Sequence, residues 1–295
     1  MEMFNYSIII PHYNDFDRLC RCINSIPLRK DIQIIVIDDV SNSEIIEKVK
    51  IFCENRDNIE FYQNTTNNGA GYSRNVGIDY SLGKWLIFAD CDDLFTRDAF
   101  KFFDVYIKSE FDIVYFDSII NNEIKKKKVQ ESNKDNITAF LTKSNVKKIR
   151  TSNWEPWGKM FKRSFIIENN IKFNSVKVMN DAFFSISAGL ATDNIFADYG
   201  RVYEYIIYNS SISRQANMEK DLIRIKEINR INKRILSYKS YLLYTIDIFL
   251  PIFWFIKVYG IRYFSLVINI FKKYGFYSGL PFYSLLGKIR RNIKK

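Results

Sequence analysis

The stretch DIQIIVIDD at residues 31–39 decides the fold class, because an Ile- and Val-rich run leads directly into two carboxylates. A nearly continuous apolar run of this length is typical of a strand buried on both faces of a sheet. Comparable runs stand at 6–11, 59–63, 84–90 and 111–117. The runs at 6–11, 31–39, 59–63 and 84–90 are separated by segments with helical spacing of apolar residues, at 15–26, 43–55 and 69–81. Strands that alternate with helices predict an α/β fold with a Rossmann-like, mostly parallel central sheet and helices on both faces.

The middle of the chain is less regular. We interpret the polar segment 121–150, which contains KKKK at 125–128, as a solvated loop rather than a functional site. Order returns after Trp154, with a helix predicted over 180–190 and a strand over 202–208.

The charge of the chain is unevenly distributed. The 44 Lys and Arg residues exceed the 33 Asp and Glu residues, for a formal net charge of +11. Residues 1–217 hold 28 basic and 29 acidic residues, whereas residues 218–295 hold 16 basic and 4 acidic residues. This partition excludes a globally basic nucleic-acid-binding protein and indicates a nearly neutral body with a cationic C-terminal region.

Several chemistries are excluded by composition. His12 is the single histidine, so a His-rich zinc site or a Ser–His–Asp triad has one candidate at most. Four cysteines, at 20, 22, 53 and 91, are too few and too irregularly spaced for a disulfide framework. We expect free thiols in a reducing cytoplasm, and the N-terminal residues show no signal-peptide pattern.

Carboxylates cluster where two of the predicted strands end. Asp38 and Asp39 follow the second strand, and Asp90, Asp92 and Asp93 follow the fourth. Ligands bind open parallel sheets at the carboxyl ends of the strands, and crowded carboxylates are relieved by a divalent cation. Oxygen ligands of this kind suit Mg²⁺ or Mn²⁺ and leave coordination positions for a diphosphate. An Asp-x-Asp triplet by itself is a weak signal, since aspartates are common in turns.

The order of short motifs resembles that of a known family. The motifs are SIIIPHYND, VIDDVSN, NNGAGYSRNVGID, GKWLIFADCDDLF, WGKMFKRSFI, NIKF, VMNDAFF and SSIS. Together they span about residues 6–214 and resemble the inverting family 2 glycosyltransferases of GT-A fold, of the type that builds bacterial cell-surface polysaccharide. The resemblance implies a catalytic domain over 1–217, with a nucleotide-sugar half at 1–120 and an acceptor half at 150–217.

The resemblance also implies a donor site. Asp39 would accept a hydrogen bond from the uracil ring, and Asp38 would position the ribose. The alternative is a purely structural role, in which both aspartates cap the next helix. Asp90 and Asp92 match the metal-binding DxD carboxylates, with Asp92 as the direct ligand. Arg74 is either a donor contact or a member of a surface ion pair. The implied donor-binding residues are Pro11, Tyr13, Asn14, Asp38, Asp39, Gly69, Arg74, Asp90 and Arg214.

The acceptor half carries the implied catalytic residue. Inversion needs one general base to deprotonate the acceptor hydroxyl, and Asp181 matches that position. The alternative is that Asp181 only caps its helix. Asn180 departs from the family pattern, in which an acidic residue is commoner. Trp154, Trp157 and Lys159 fall in the implied acceptor segment, with core packing as the alternative for at least one of the tryptophans.

The last 78 residues form a separate, C-terminal region that is basic and rich in aromatic residues. Five aliphatic residues recur at helical spacing within 219–236, namely Leu222, Ile225, Ile228, Ile231 and Ile235. The longest apolar stretch beyond them, 241–256, contains Asp247 and Pro251 and is shorter than the about 18–20 residues of a membrane span. Aromatic residues interleaved with cations predict a segment that lies on an anionic membrane surface. Packing on the catalytic core is the alternative, and nucleic-acid binding is disfavoured.

These observations lead to one functional hypothesis with two alternatives. We expect a metal-assisted hexosyl- or N-acetylhexosaminyltransferase that uses a UDP-sugar at the cytoplasmic face of the cell membrane. Its acceptor would be a lipid-linked or lipid-anchored glycan, as in lipopolysaccharide, O-antigen or capsule assembly. The alternatives are the same chemistry on a soluble or protein acceptor, with the tail used for dimerisation, and a non-catalytic membrane-associated scaffold. The sequence leaves the sugar and the linkage open.

Overall fold

The structure, a computed structural model, describes residues 4–54, 56–124, 127–131, 133–143, 145–208 and 217–278. The chain divides into two compact units, Met1–Ser213 and Arg214–Lys295. The strands of the first unit are β1 Tyr6–His12, β2 Ile32–Asp38, β3 Ile59–Gln63, β4 Trp85–Phe88, β5 Leu94–Phe95, β6 Ile113–Asn122, β7 Lys127–Glu131, β8 Lys159–Lys162 and β9 Ile195–Ile207. Its helices are α1 Phe16–Asn24, α2 Ser43–Glu54, α3 Ala70–Tyr80, α4 Ala99–Val105, α5 Lys134–Lys143, α6 Val146–Ser152, α7 Arg163–Glu168 and α8 Asn180–Ala191.

One mixed sheet organises the first unit. Its strands follow the order β3-β2-β1-β4-β8-β6-β9-β5, and β7 pairs with β6. The first four strands in this order are parallel, which confirms the prediction from the N-terminal half. The short strand β8 is antiparallel to both β4 and β6, and β5 is antiparallel to β9. The α/β fold class is confirmed, with antiparallel strands that the sequence pattern did not reveal.

The two faces of the sheet are covered by different helices. Along β1, Ile8 and Ile10 belong to the apolar core that includes Leu19 of α1 and Phe103 of α4. The intervening Ile9 belongs to the core on the other face, with residues of α3, α7 and α8. This alternation follows from the twofold period of a strand, and it explains why β1 and β2 are buried at every residue.

The prediction of a solvated loop over 121–150 is wrong. The described part of this segment contains the end of β6, the strand β7 and the helices α5 and α6. Ile137 of α5 and Ile149 of α6 are fully buried in the core, so a few apolar residues fix the segment to the sheet. Two of the four lysines begin β7, and lysine is common on edge strands because it discourages further strand pairing. Lys125 and Lys126 lie outside the described residues.

The second unit is helical over its described residues. It contains α9 Met218–Leu236, α10 Phe249–Tyr259 and α11 Phe264–Tyr274, with short 3₁₀ turns before and after α10. The predicted apolar stripe on α9 is confirmed, since Ile225, Ile228, Ile231 and Ile235 are buried and Leu222 is partly buried. The same helix also buries Asn229 and Asn232, whose amides bond the backbone of residues 275, 277 and 246. None of the described helices is long and apolar enough to cross a membrane.

Candidate active site at the carboxyl edge of the sheet

The predicted donor residues meet where β1, β2 and β4 end. His12 closes β1 opposite Asp38, which closes β2 in parallel register. Asp90 follows one residue after Ala89, whose amide still bonds the backbone of β1. Because the three strands run in the same direction, their terminal side chains share one edge of the sheet.

Asp38 holds the loops after β1 and β2 together. Its carboxylate is completely buried and accepts hydrogen bonds from His12 Nδ1 at 2.9 Å, Ser41 Oγ at 2.5 Å and the Ser41 amide at 2.9 Å. Burial would raise the pKa of Asp38, but the hydrogen bonds from His12 and Ser41 outweigh it, and the pKa is lowered. His12 Nε2 accepts a hydrogen bond from the Asp15 amide, so the imidazole is the neutral tautomer with its proton on Nδ1. The ribose contact predicted for Asp38 stays a prediction.

Asp39 organises the loop that leads into α3. Its carboxylate accepts hydrogen bonds from Asn64 Nδ2 at 2.8 Å, the Asn68 amide at 3.1 Å and the Gly69 amide at 2.7 Å. Gly69 stands before α3 with φ +83°, a left-handed conformation that glycine adopts without strain. Neither aspartate caps α2, because Asn42 Oδ1 accepts the hydrogen bond from the Ile45 amide instead.

Arg74 lies in the interior of the site rather than on the surface. Its guanidinium is 4% exposed, bonds Asp90 Oδ1 through Nη2 at 2.5 Å and bonds Asn180 Oδ1 through Nη1 at 3.0 Å. The ring of Phe173 lies under it at 5.3 Å. The alternative of a surface ion pair is therefore wrong, since the pair that Arg74 forms with Asp90 is buried on the arginine side.

The carboxylates after β4 differ in environment. Burial and the charge of Asp90 raise the pKa of Asp92 to about 6. Burial and the charges of Asp90 and Asp92 raise the pKa of Asp93 well above its usual value. Asp93 accepts a hydrogen bond from the Ile206 amide of β9 at 2.8 Å, and the N-cap position of α4 is occupied by Asp98. A cation bound beside Asp90 and Asp92 would relieve the raised pKa of Asp92.

The carboxylates after β4 are the residues that would hold a metal ion. Among the described residues, no group of three or more His, Cys, Asp or Glu side chains is arranged to hold a metal. Two carboxylates nevertheless suit Mg²⁺ or Mn²⁺, since these ions commonly bind one or two protein carboxylates and complete their shell with substrate phosphates and water. Asp90 and Asp92 fit such a site, although Arg74 already engages one oxygen of Asp90.

Asp181 lies in the first turn of α8, next to Asn180. Burial raises its pKa, the charge of Arg74 opposes that rise, and the charges of Asp90 and Glu155 add to it. A carboxylate with a raised pKa at the edge of a site is suited to accept a proton from a hydroxyl group.

Lys159 of β8 lies beneath the same helix. Its side chain is 1% exposed, and Nζ donates to the backbone carbonyl of Glu155, which also accepts from Ser185 Oγ of α8 at 3.1 Å. Burial lowers the pKa of Lys159 to about 8, against the charges of Glu155 and Asp181. This placement leaves Lys159 little surface for contact with an acceptor, and its predicted acceptor role remains untested.

The two tryptophans of the acceptor segment are placed differently. Trp157 is 5% exposed and stacks on Tyr203 with ring centroids 5.0 Å apart, so core packing is observed for this residue. Trp154 is half-buried, with Nε1 bonded to the Thr151 carbonyl at 2.8 Å. Of the two, Trp154 is the one whose ring retains surface for a ligand.

The predicted donor-binding residues Pro11, Tyr13 and Asn14 differ in accessibility. Tyr13 is 51% exposed, whereas Pro11 is buried in β1. Asn14 has φ +53°, and its amide donates to Ser41 Oγ at 2.8 Å. The chain leaves β1 after His12, and the side chain of Tyr13 lies in solvent. Arg214, also among the predicted donor-binding residues, lies outside the described residues.

Two tyrosines belong to the site and were missed by sequence reasoning, namely Tyr203 in β9 and Tyr208, the residue that follows β9. Tyr203 accepts a hydrogen bond from the Asp90 amide at 2.8 Å, and Tyr208 donates to the Asp92 carbonyl at 3.1 Å. The two tyrosine hydroxyls thus hold the backbone of the turn at Asp90–Asp92 in place. The alternation of Tyr203 and Tyr205, which both stack on Trp157, was the available signal for one aromatic face of this strand.

Comparisons with known proteins agree with this geometry. The model of the family described as Glycosyl transferase family 2 matches residues 7–173. Poly(ribitol-phosphate) beta-N-acetylglucosaminyltransferase TarP of Staphylococcus aureus is 30% identical over 257 residues, which cover 81% of this chain and 73% of that protein. Poly(ribitol-phosphate) beta-glucosyltransferase of Bacillus spizizenii is 26% identical over 68% of this chain. The chain matches only 32% of the length of the latter protein.

A solved structure shares the fold. The crystal structure of S. aureus TarS 1–349 in complex with UDP-GlcNAc superposes with a TM-score of 0.72 over 90% of this chain and 79% of that chain. The sequence identity is 18%, so this similarity concerns the fold alone.

Proposed function

Because the chain belongs to glycosyl transferase family 2, we propose that it transfers a sugar from a UDP-sugar to a hydroxyl group of an acceptor polymer, with inversion at the anomeric carbon. The observation that carries the proposal is the convergence of Asp90, Arg74 and the start of α8 at the carboxyl edge of the sheet. This arrangement sets a candidate diphosphate site beside a candidate base, as an in-line displacement requires.

The side chains divide the work of the reaction. Asp181 removes the proton of the acceptor hydroxyl, whose oxygen then forms a bond to the anomeric carbon. The bond from that carbon to the diphosphate oxygen breaks, and UDP leaves with the electron pair. Asp90 and Asp92 would hold Mg²⁺ or Mn²⁺, which when bound neutralises charge on the diphosphate. Asp39, Tyr13 and Gly69 would border the nucleotide.

For the acceptor we propose a lipid-linked or lipid-anchored cell-surface polymer. The names of TarP and of the Bacillus relative specify poly(ribitol phosphate), which makes a polyol-phosphate polymer the first acceptor to test. Lipopolysaccharide, O-antigen and capsule precursors are the further acceptors within this proposal.

We also propose that the second unit binds the anionic, cytoplasmic face of the cell membrane. On α10, Ile252 and Phe255 are buried, whereas Phe253 is 69% and Leu250 50% exposed. Lys257 on the same helix is also exposed. Residues 218–295 carry 16 basic against 4 acidic residues. Exposed aromatic and aliphatic side chains with interspersed cations match the chemistry of an anionic lipid surface.

The test is a donor panel. Purified protein with Mn²⁺ is incubated with UDP-glucose, UDP-GlcNAc, UDP-galactose and UDP-GalNAc, each with poly(ribitol phosphate) or a membrane extract, and released UDP is measured. We expect release with one or two donors that depends on acceptor, and loss of release in Asp181→Ala and Asp92→Ala. Release that persists in Asp181→Ala would contradict the assignment of the base. Absence of release with every donor and acceptor would favour a non-catalytic scaffold.

A further inference from the structure

We propose that Asn180 is a positioning residue, which through Arg74 ties the first turn of α8, and Asp181 with it, to the donor-side carboxylate of Asp90. The inference rests on the proposed function, because it assigns Asn180 a part in placing the base. Asn180 itself has no role in proton transfer, since a carboxamide does not titrate.

Both polar groups of the Asn180 side chain are used inside the protein. Oδ1 accepts the hydrogen bond from Arg74 Nη1 at 3.0 Å, and Nδ2 donates to the Val176 carbonyl at 3.2 Å. The side chain is 7% exposed, so it is not free to contact an acceptor in solvent. One amide thus connects the segment before α8 to the guanidinium that bonds Asp90.

The packing around this bridge leaves it little freedom. A Cβ added to Gly71 of α3 would lie 2.6 Å from the Asn174 carbonyl and 3.0 Å from Asn180 Cβ, so the two segments approach as closely as glycine allows. Phe173, beneath Arg74, stacks on Phe184 of α8 at 3.9 Å with an interplanar angle of 3°. The Phe173 backbone exchanges two hydrogen bonds with the Asn75 side chain of α3, at 2.9 and 2.8 Å.

The neutrality of Asn180 has an electrostatic consequence. The charged groups that face Asp181 are Arg74 of α3, Asp90 after β4, Glu155, and Lys159 of β8. Arg74 directly bonds one carboxylate, and its charge also acts on Asp181. An aspartate at position 180 would accept the same hydrogen bond but would add a carboxylate beside Asp181.

Two variants separate position from charge. In Asn180→Ala the bridge is lost, and we expect kcat to fall roughly tenfold to a hundredfold, as for a misplaced catalytic group. The Kd for UDP, measured by calorimetry with Mn²⁺, should change by less than about threefold, since the donor residues keep their places. In Asn180→Asp the hydrogen bond from Arg74 is kept and only the bond to the Val176 carbonyl is lost, so kcat at alkaline pH should lie well above that of Asn180→Ala and approach that of the wild type. The acid limb of the pH profile of kcat should lie about one pH unit higher in Asn180→Asp than in the wild type, because the added carboxylate opposes ionisation of Asp181.

Asn169→Ala is the matched control, because Asn169 Nδ2 also donates to a backbone carbonyl, that of Phe165 at 2.9 Å, away from the site. Unchanged kcat in Asn180→Ala would overturn the inference. So would equal losses of kcat in Asn180→Ala and Asn180→Asp with an unmoved acid limb, because such a result reflects a structural role alone. Should the wild type release no UDP with any donor, the proposed function fails first, and that result is distinct from a wild type that is active while Asn180→Ala is equally active.

Discussion

The Arg74 guanidinium lies 2.5 Å from the Asp90 carboxylate, Nη2 to Oδ1, while its other terminal nitrogen bonds Asn180. A residue of α3 therefore joins the turn after β4 to the start of α8. A planar fork with several donors can hold two acceptors in fixed directions, which the single ammonium group of lysine does not reproduce.

Replacement of Arg74 by lysine should preserve the charge but break one of these two contacts. We expect UDP release to fall by at least about tenfold, because removal of one partner of a buried, charge-assisted hydrogen bond costs roughly 1.5–3 kcal/mol. The measurement is kcat/KM for the preferred donor. Arg163→Lys is the control, since Arg163 bonds Ser81 Oγ outside the site. Wild-type kcat/KM in Arg74→Lys would show that charge alone suffices.

The raised pKa of Asp92 predicts a pH-dependent requirement for metal. Burial and Asp90 place this pKa at about 6, so below that pH a proton competes with the cation for Asp92. The Mn²⁺ concentration for half-maximal UDP release should therefore be higher at pH 5.5 than at pH 7.5. In Asp92→Asn the release should be largely lost at both pH values.

Asp98→Asn is the control for this prediction, because Asp98 is an exposed carboxylate paired with Lys101. A Mn²⁺ requirement that is equal at the two pH values would contradict the assignment of Asp92 as a ligand.

The sequence predicted the parts of the site that depend on local pattern. Apolar runs that end in aspartates located β2 and β4 and placed Asp39 and Asp90 at one sheet edge, because parallel strands share their direction. The short strands β5 and β8 were not predicted, since two to four residues carry too little periodicity. The bond between Arg74 and Asn180 joins positions that are 106 residues apart, and such a contact is set by tertiary packing.

In the second unit, too, local sequence pattern predicted a helix but not its tertiary contacts. The spacing of isoleucines predicted α9, whereas the burial of Asn229 and Asn232 depends on loops far along the chain. Removal of everything after residue 238 would expose this polar and apolar face of α9 together. Point substitutions on exposed residues are therefore a sharper test of membrane binding than truncation.

The buried ammonium group of Lys159 should lower the free energy of unfolding, although its charge favours ionisation of Asp181. Its pKa is lowered from 10.5 to about 8, so the folded protein releases this proton at a lower pH than the unfolded chain does. Stability from this group is thus lowest below pH 8 and rises between about pH 8 and 10.5. In Lys159→Met the free energy of unfolding at pH 7 should rise by about 1–2 kcal/mol, after allowance for the lost bond to the Glu155 carbonyl.

The same variant should be less active, because Asp181 loses a neighbouring cation and its acid limb moves to higher pH. Urea unfolding at pH 7 and pH 9 and the pH profile of kcat/KM are the measurements. Lys162→Met, at a partly exposed lysine that pairs with Glu110, is the control. A Lys159→Met protein that is destabilised at pH 7 would show that the buried ammonium is a net stabilising group.

Membrane binding of the second unit should depend on the exposed face of α10. Phe253 and Trp254 are 69% and 39% exposed, and removal of both rings should weaken binding to vesicles by at least about tenfold, since each buried aromatic contributes roughly 1.5–3 kcal/mol. The measurement is co-sedimentation of the full chain with vesicles of phosphatidylcholine and phosphatidylglycerol, for the wild type and for Phe253→Ser/Trp254→Ser. Leu82→Ser, at a 62% exposed residue of the first unit, is the control.

Binding should also weaken as the salt concentration rises, because salt screens the attraction between the cations and the anionic lipid. Equal sedimentation of the wild type and the double variant would exclude this face as the lipid contact. A change of oligomeric state in the double variant, with sedimentation unchanged, would instead identify the face as a contact between copies of the chain.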